Sequence, residues 1–337
     1  MRAIVRAARS QDLEPLYEMA KLTGGGFTNL PADRDALAER LAASDAAYAR
    51  DEDALGDDLY LLMLEDLESG RIAGTAQIIT RTGQRGSFHS YRRTTLTQHS
   101  AAFGRSFKAE MLVMTNDLEG CSEVGGLFLH PRFRAGGLGL LLARSRYLFI
   151  KLHRARFADK LIAELRGVID EGGGSPFWDG VGGRFFQMSF READDYNARH
   201  GNQHLADLMP RHPIYLAMLS EMARGVIGVP HATGRAAMRM LEAEGFADEG
   251  YLDIFEGGPT MTAMVDRLRT VREAREAEIA SVGEGGGIRS IVAAGRLCEF
   301  RAAFALLVET AAGLEIDGQA AEALALRPGR EVLHVAR

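Results

Sequence analysis

The sequence predicts an α/β protein built on a mixed sheet, and three observations carry that expectation. Apolar segments of strand length alternate with amphipathic segments of helix length through the first half of the chain. Residues 123–152 read without interruption as buried strand, glycine-rich turn and long helix. The chain has 337 residues, which at roughly 150 residues per domain is enough for about two domains.

Residues 3–7 read as a short strand, and Ser10, Gln11 and Asp12 supply cap-type residues ahead of an amphipathic helix over 13–21. Gly24, Gly25 and Gly26 break that helix, and Pro31, Ala32 and Asp33 open another with apolar positions at Leu37 and Leu41. Residues 59–64 and 72–80 have the pattern of a hairpin closed by Glu68, Ser69, Gly70 and Arg71. The polar stretch 82–98 shows no periodicity that assigns an element. Residues 123–129 then form a buried strand, 131–139 the glycine-rich turn and 140–152 the helix. Residues 161–165 are a further apolar strand, and Ser175 and Pro176 open a helix carrying Phe177 and Trp178.

Beyond it, Pro210 and Pro213 break residues 206–217, and 233–244 form a helix ended by Gly245 and followed by a strand over 251–255. Residues 261–280 read as a charged amphipathic helix, and the glycines from Gly283 to Gly287 as a flexible joint before a small β-rich C-terminal tail. Trp178 lies four residues before Gly182, and Leu241 four residues before Gly245, each on a helix expected to run into a strand. With the length, this weak repeat points to two related units, 1–190 and 191–337, with the tail in the second.

Hydrophobic residues make up 46% and charged residues 26% of the chain, which is the usage of a soluble globular protein and excludes disordered and collagenous classes. Lys plus Arg is 40 against 46 Asp plus Glu, so the net charge of -6 has the wrong sign for binding nucleic acid through its phosphates. Cys121 and Cys298 form no metal-ligand or CxxC spacing, so a reducing cytoplasm is expected and a disulfide framework or zinc site is not. No run approaches the roughly 18 apolar residues of a membrane span, and the N-terminus lacks the apolar core of a signal peptide.

The sharpest local pattern is Arg134-Ala135-Gly136-Gly137-Leu138-Gly139, between a predicted strand and a predicted helix. Glycines there permit positive φ and close backbone approach, so successive amide N–H groups and the helix N-terminus can cradle a pyrophosphate. A turn with a packing role is the alternative. Leu142 stands where a dinucleotide fingerprint needs a small residue, and neither a P-loop nor a G-x-S-x-G elbow occurs. Acyl-CoA is the remaining fit.

His200 and His204 have i,i+4 spacing, yet Gly201 and Asn202 weaken the helix and no H-E-x-x-H glutamate is present, so no metal site is expected. Cys121 has no base that the sequence can supply. His231, after the turn at Gly228 and Pro230, can project an imidazole from the start of a helix into a cleft, the alternative being a surface or core histidine. Asn116-Asp117 and Asp170-Glu171 are carboxylate-bearing turns of the kind a cationic substrate requires.

The chain also resembles the arginine N-succinyltransferase family, which is related to the GNAT-type N-acyltransferases. The resemblance runs from Thr23-Gly24-Gly25-Gly26-Phe27-Thr28-Asn29 through Leu127-Phe128-Leu129, Ala163-Glu164-Leu165-Arg166-Gly167 and Ser175-Pro176-Phe177-Trp178. It continues through Leu208-Met209-Pro210-Arg211-His212-Pro213-Ile214-Tyr215 and Asp253-Ile254-Phe255-Glu256-Gly257-Gly258-Pro259-Thr260, covering most of residues 1–275.

The resemblance implies a tandem of GNAT-like units and a cytoplasmic enzyme of arginine catabolism, which makes CoA and N2-succinyl-L-arginine from succinyl-CoA and L-arginine. It implies homo-oligomers, or hetero-oligomers with a paralogue, and succinyl-CoA as a cosubstrate with no permanently bound cofactor. His231 matches the family's proton donor, and Leu127 lies on the strand that contacts acyl-CoA. The acyl-CoA set expected here is therefore Leu127 and Leu129 with Arg134, Gly137 and Gly139. Gly125-Gly126, His130, Gln98-His99-Ser100 and Ala232 depart from the family pattern. These departures leave open another amine such as ornithine or agmatine, or a non-catalytic regulatory subunit of a paralogous acyltransferase.

Overall fold

The structure, a computed structural model, describes residues 2–23, 30–84, 86–200 and 203–337, with 198–200 described by backbone alone. Gly24, Gly25, Gly26, Phe27, Thr28 and Asn29 of the first family block lie outside the described residues. The strands in chain order are β1 (Ala3–Ala7), β2 (Leu59–Asp66), β3 (Arg71–Ile79), β4 (Ser90–Ser100), β5 (Arg105–Thr115), β6 (Ser122–Leu129), β7 (Lys160–Glu164) and β8 (Ile214–Tyr215). They continue as β9 (Ala247–Leu252), β10 (Pro259–Met264), β11 (Arg275–Gly283), β12 (Ile288–Ala294), β13 (Arg301–Thr310), β14 (Gly313–Asp317) and β15 (Glu331–Ala336). The fold is a mixed α/β one.

The chain divides into two units that interleave in sequence, one of residues 1–81, 122–159 and 264–337 and the other of residues 82–121 and 160–263. This is not the sequential division expected at residue 190. The reason lies in backbone pairing: Ile4, Val5 and Arg6 of β1 pair with Ala303, Ala302 and Arg301 of β13, which ties the tail to the first strand.

In the first unit β1, β2, β3 and β6 form an antiparallel ladder in that order. The run Leu59–Asp66 is almost continuously apolar and almost wholly buried, as expected of a strand covered on both faces. The helices Leu13–Lys21 and Arg34–Ala49 pack on it through Leu16, Met19, Leu37 and Leu41, against Leu61 and Met63. Asp33 caps the second helix by accepting the N–H of Ala36 at 2.8 Å. The helix Leu138–Leu152 buries Leu141, Leu142, Leu148 and Phe149.

The tail is a closed ring. β13 pairs with β12, β12 with β15, β15 with β11, β11 in parallel with β14, and β14 with β13. Its interior holds Ile279, Val292, Ala303, Leu307, Ile316 and Leu324, and closure leaves no free edge among those five strands.

Two expectations fail here. Residues 261–280 are not one helix but β10, the short helix Arg269–Glu273 and β11. Their charges suit a helix, but pairing on both edges of β11 overrides that propensity. The glycines at 283–287 are no joint between domains, because they connect β11 and β12 of the same ring.

In the second unit the order is β7, β10, β9, β4, β5, β8. The unassigned stretch 82–98 contributes to a long hairpin in which β4 and β5 pair from Ser90 opposite Thr115 to Ser100 opposite Arg105. The expected 251–255 strand begins and ends earlier, as β9, because the Asp253 carboxylate accepts the N–H groups of Phe255 and Glu256 and turns the chain. Trp178 and Phe177 are fully buried in this unit's core. The Trp178 helix, Pro176–Gly180, is followed by further helices rather than a strand, so the weak repeat has no counterpart there.

Candidate functional site

The strand, turn and helix expected around Leu127 are present, with a feature the sequence did not show. On β3 and β6, Gln77 lies opposite Gly125 and Thr75 opposite Phe128, so Gly126 and Leu127 together face Ala76. That extra residue is a β-bulge, and Gly126 occupies it at φ +55°, a left-handed conformation that glycine takes without steric cost. The bulge interrupts the ladder and re-aims the backbone at the half-buried Leu127.

After β6, exposed Arg134 folds back and donates from Nε to the carbonyl of Leu129 at 3.2 Å. Gly136 and Gly137 follow at φ +66° and +85°, and Gly137 is the N-cap of the helix Leu138–Leu152. Gly139 therefore sits in the first helical turn rather than in the loop. A Cβ there would lie 3.7 Å from Leu129, so Gly139 and Leu129 are packed against each other.

Two cations that sequence reasoning missed converge on this turn. Arg289 donates to the carbonyl of Gly136 at 3.3 Å, and a Cβ on Gly137 would lie 2.5 Å from the Arg337 guanidinium. Both guanidinium groups also lie over the ring of Phe304, at 4.3 and 5.4 Å. Burial and the neighbouring Arg337 charge push the Arg289 pKa down. Paired cations beside left-handed glycines and a helix N-terminus are groups that can attract an anion.

In the second unit His231 is half-buried and caps the turn Ala232–Gly234. Its backbone N–H donates to the carbonyl of Arg166 at 2.8 Å, which fixes its position. Nδ1 lies 2.8 Å from the Thr233 hydroxyl and 3.3 Å from the Thr233 backbone nitrogen; in the tautomer that carries its proton on Nδ1 and donates it to that hydroxyl, Nε2 is bare and can exchange a proton. Burial, and then the Arg166 charge, hold the His231 pKa below its ordinary value.

Arg166 lies 3.4 Å from the buried Glu256, which also accepts the N–H of Gly167 at 2.9 Å. Burial outweighs Arg166 and pushes Glu256 up to about 7. The two family blocks meet here: a Cβ on Gly258 would lie 2.0 Å from the carbonyl of Leu165, and one on Gly167 would lie 2.0 Å from that of Glu256. Those glycines are required by close backbone contact. Asp117 accepts from Thr115, from the Tyr251 hydroxyl at 3.0 Å and from Arg92 at 3.2 Å, and these partners hold its carboxyl below the usual range, Thr115 foremost.

Cys121 is buried beside Leu118, Ile162 and Tyr251, and burial raises its pKa, so it is a packing residue. The His200 side chain lies outside the described residues, and among those described no group of three His, Cys, Asp or Glu is placed to hold a metal. No described helix is long and apolar enough to cross a membrane.

Comparison with known proteins places these features in a family. The model of the arginine N-succinyltransferase beta subunit family matches residues 3–270. The arginine N-succinyltransferase subunit beta of Pseudomonas aeruginosa is 39% identical over 330 residues, covering 98% of this chain and 96% of that protein. The arginine N-succinyltransferase of Salmonella schwarzengrund is 38% identical, with the same two coverages. In three dimensions the chain is similar to arginine/ornithine succinyltransferase subunit AI of Pseudomonas aeruginosa, with a TM-score of 0.90 and 31% identity over 99% of this chain and 98% of that one.

Proposed function

The chain belongs to the arginine N-succinyltransferase family, and from that premise we propose that it transfers the succinyl group of succinyl-CoA to the α-amine of L-arginine. The products are CoA and N2-succinyl-L-arginine, in arginine catabolism. The observation that carries the reading is the bulge at Gly126 and Leu127 running into the Gly136-Gly137 turn, inside the family match.

On this reading the Gly136-Gly137 amides, the helix start and Arg134 hold the CoA pyrophosphate, and Leu127 presents a backbone N–H to the thioester carbonyl. Leu129 and Gly139 support that surface by packing. His231 works through Nε2. Its depressed pKa makes the ring neutral near pH 7, so it takes the proton that the attacking α-amine must lose and delivers it to the departing CoA thiolate. The amine nitrogen forms the amide bond as the carbon–sulfur bond breaks, and no redox partner is needed.

The tandem of GNAT-like units is part of the same proposal, with the interleaved division in place of a boundary at residue 190. So are a cytoplasmic location and an assembly with further copies or a paralogous subunit. Ornithine stands as a second acceptor, because the solved relative carries both amino acids in its name. The test is release of free thiol from succinyl-CoA and from acetyl-CoA, with arginine, ornithine, agmatine and lysine as acceptors. Selective release with succinyl-CoA and arginine is expected; no release with any pair would make the chain a regulatory subunit instead.

A further inference from the structure

We propose that a pocket beneath the Gly126 bulge seats the far carboxylate of the acyl group and that Gln77 and Arg40 recognise it. The inference rests on the acyltransferase reading above. The pocket lies within the first unit, between the helix Arg34–Ala49 and strands β2, β3 and β6, and its lining includes Leu37, Leu61, Thr75, Arg40, Gln77 and Gly126.

Gln77 is the decisive residue. It is 1% exposed in the middle of β3, a strand otherwise packed with apolar and small residues. An Arg40 guanidinium N–H reaches its amide at 2.9 Å. Because a guanidinium can only donate, the amide atom facing it is the oxygen, and Nε2 is turned away. That Nε2 is buried and has no hydrogen-bond partner among the described residues. Leaving a buried donor unmet is costly, so the geometry calls for an acceptor that arrives with a ligand.

The surroundings define that acceptor. Leu37 and Leu61 supply apolar wall for methylene groups, while Arg40 supplies positive charge and the described lining residues include no carboxylate. A Cβ on Gly126 would lie 2.9 Å from Cγ of Gln77, so the bulge glycine is what allows the amide its position one residue from Leu127. A short acyl chain ending in a carboxylate gives the Gln77 Nε2 its acceptor beside the Arg40 charge. An acyl chain ending in methyl leaves the Gln77 Nε2 unmet, and a site built on buried polar groups discriminates strongly against such an analogue.

The test compares kcat/KM for succinyl-CoA with that for butyryl-CoA, which has the same chain length with methyl in place of the carboxylate. Measurements use the full chain as wild type, Gln77→Leu and Gln77→Glu. The Glu variant keeps the shape and a partner for Arg40 but opposes the acyl carboxylate, so it serves if the Leu variant does not fold. The succinyl-to-butyryl ratio should fall by about 100-fold or more in each folded variant. A wild type that prefers succinyl-CoA, with variants that hold the ratio within about 3-fold, would overturn the assignment of Gln77 while leaving the acyltransferase reading intact. A folded wild type inert with both thioesters would overturn the acyltransferase reading, and this assignment with it.

Discussion

The hydroxyl of Thr233 lies 2.8 Å from Nδ1 of His231. A hydroxyl can accept from a protonated Nδ1, which carries its proton both when Nε2 is bare and when the ring is charged, so Thr233 satisfies that nitrogen in both states of the ring. Proton exchange is thereby left to Nε2. His231→Ala should lower kcat by about 100-fold or more with the KM for succinyl-CoA changed only a few-fold, and an unchanged kcat would remove His231 from the mechanism. Thr233→Val should lower kcat by about 10-fold and displace the acid limb of the pH profile, as expected of a positioning residue.

The direction of the His231 shift fixes where that limb lies. The ring must be neutral to accept a proton, and its pKa is depressed below 6.5 by burial and Arg166. At saturating substrates kcat should rise with pH through a value below 6.5 and then level off. A limb centred above 6.5 would contradict the assignment.

Arg289 and Arg337 predict a contribution of the β ring to CoA affinity. Arg289→Ala should weaken CoA binding by about 10-fold at low salt, and the loss should shrink as salt rises. Gly137→Val places a side chain at φ +85° against the Arg337 guanidinium and should weaken CoA further. Calorimetry that found normal CoA affinity in a folded Gly137→Val protein would remove the turn from the site.

His153 predicts the acid side of the stability profile. Its Nε2 accepts the N–H of Leu297 at 3.1 Å and its Nδ1 lies 2.9 Å from the carbonyl of Phe149, and burial pushes its pKa down to about 4. The folded state therefore binds fewer protons than the unfolded state between about pH 4 and 6.5, and stability is lost as pH falls through that window. The loss is on the order of 2–3 kcal/mol, and denaturant melts should show His153→Gln with a flatter slope there.

Glu256 acts in the opposite sense. Its folded pKa of about 7 lies above the ordinary 4.5, so its contribution is fully present below 4.5 and is lost as pH rises through 7. Relative to wild type, Glu256→Gln should gain stability between pH 5 and 8. An equal offset at both pH values would show that Glu256 stays ionised throughout.

What the sequence revealed depended on pattern strength. Leu138–Leu152 and β6 were legible because apolar periodicity and a glycine turn mark them, and Asp33 marked the start of Arg34–Ala49. The β4–β5 hairpin was not legible, because most of its residues beyond Tyr91 are exposed or half-buried and no apolar alternation survives. The bulge at Gly126 depends on register, which a single chain does not display. Arg289 and Arg337 reach the turn only through closure of the ring, far from it in sequence. Gln77 did leave a signal, as a lone amide inside the apolar strand Arg71–Ile79.

The most direct test of the central claim is to identify the product formed from succinyl-CoA and L-arginine by mass spectrometry, with fragmentation to locate the modified nitrogen. The account predicts a single succinyl group on the α-nitrogen, formed in step with free CoA and suppressed in His231→Ala. Arginine recovered unmodified, or succinyl carried on the guanidino group, would contradict it.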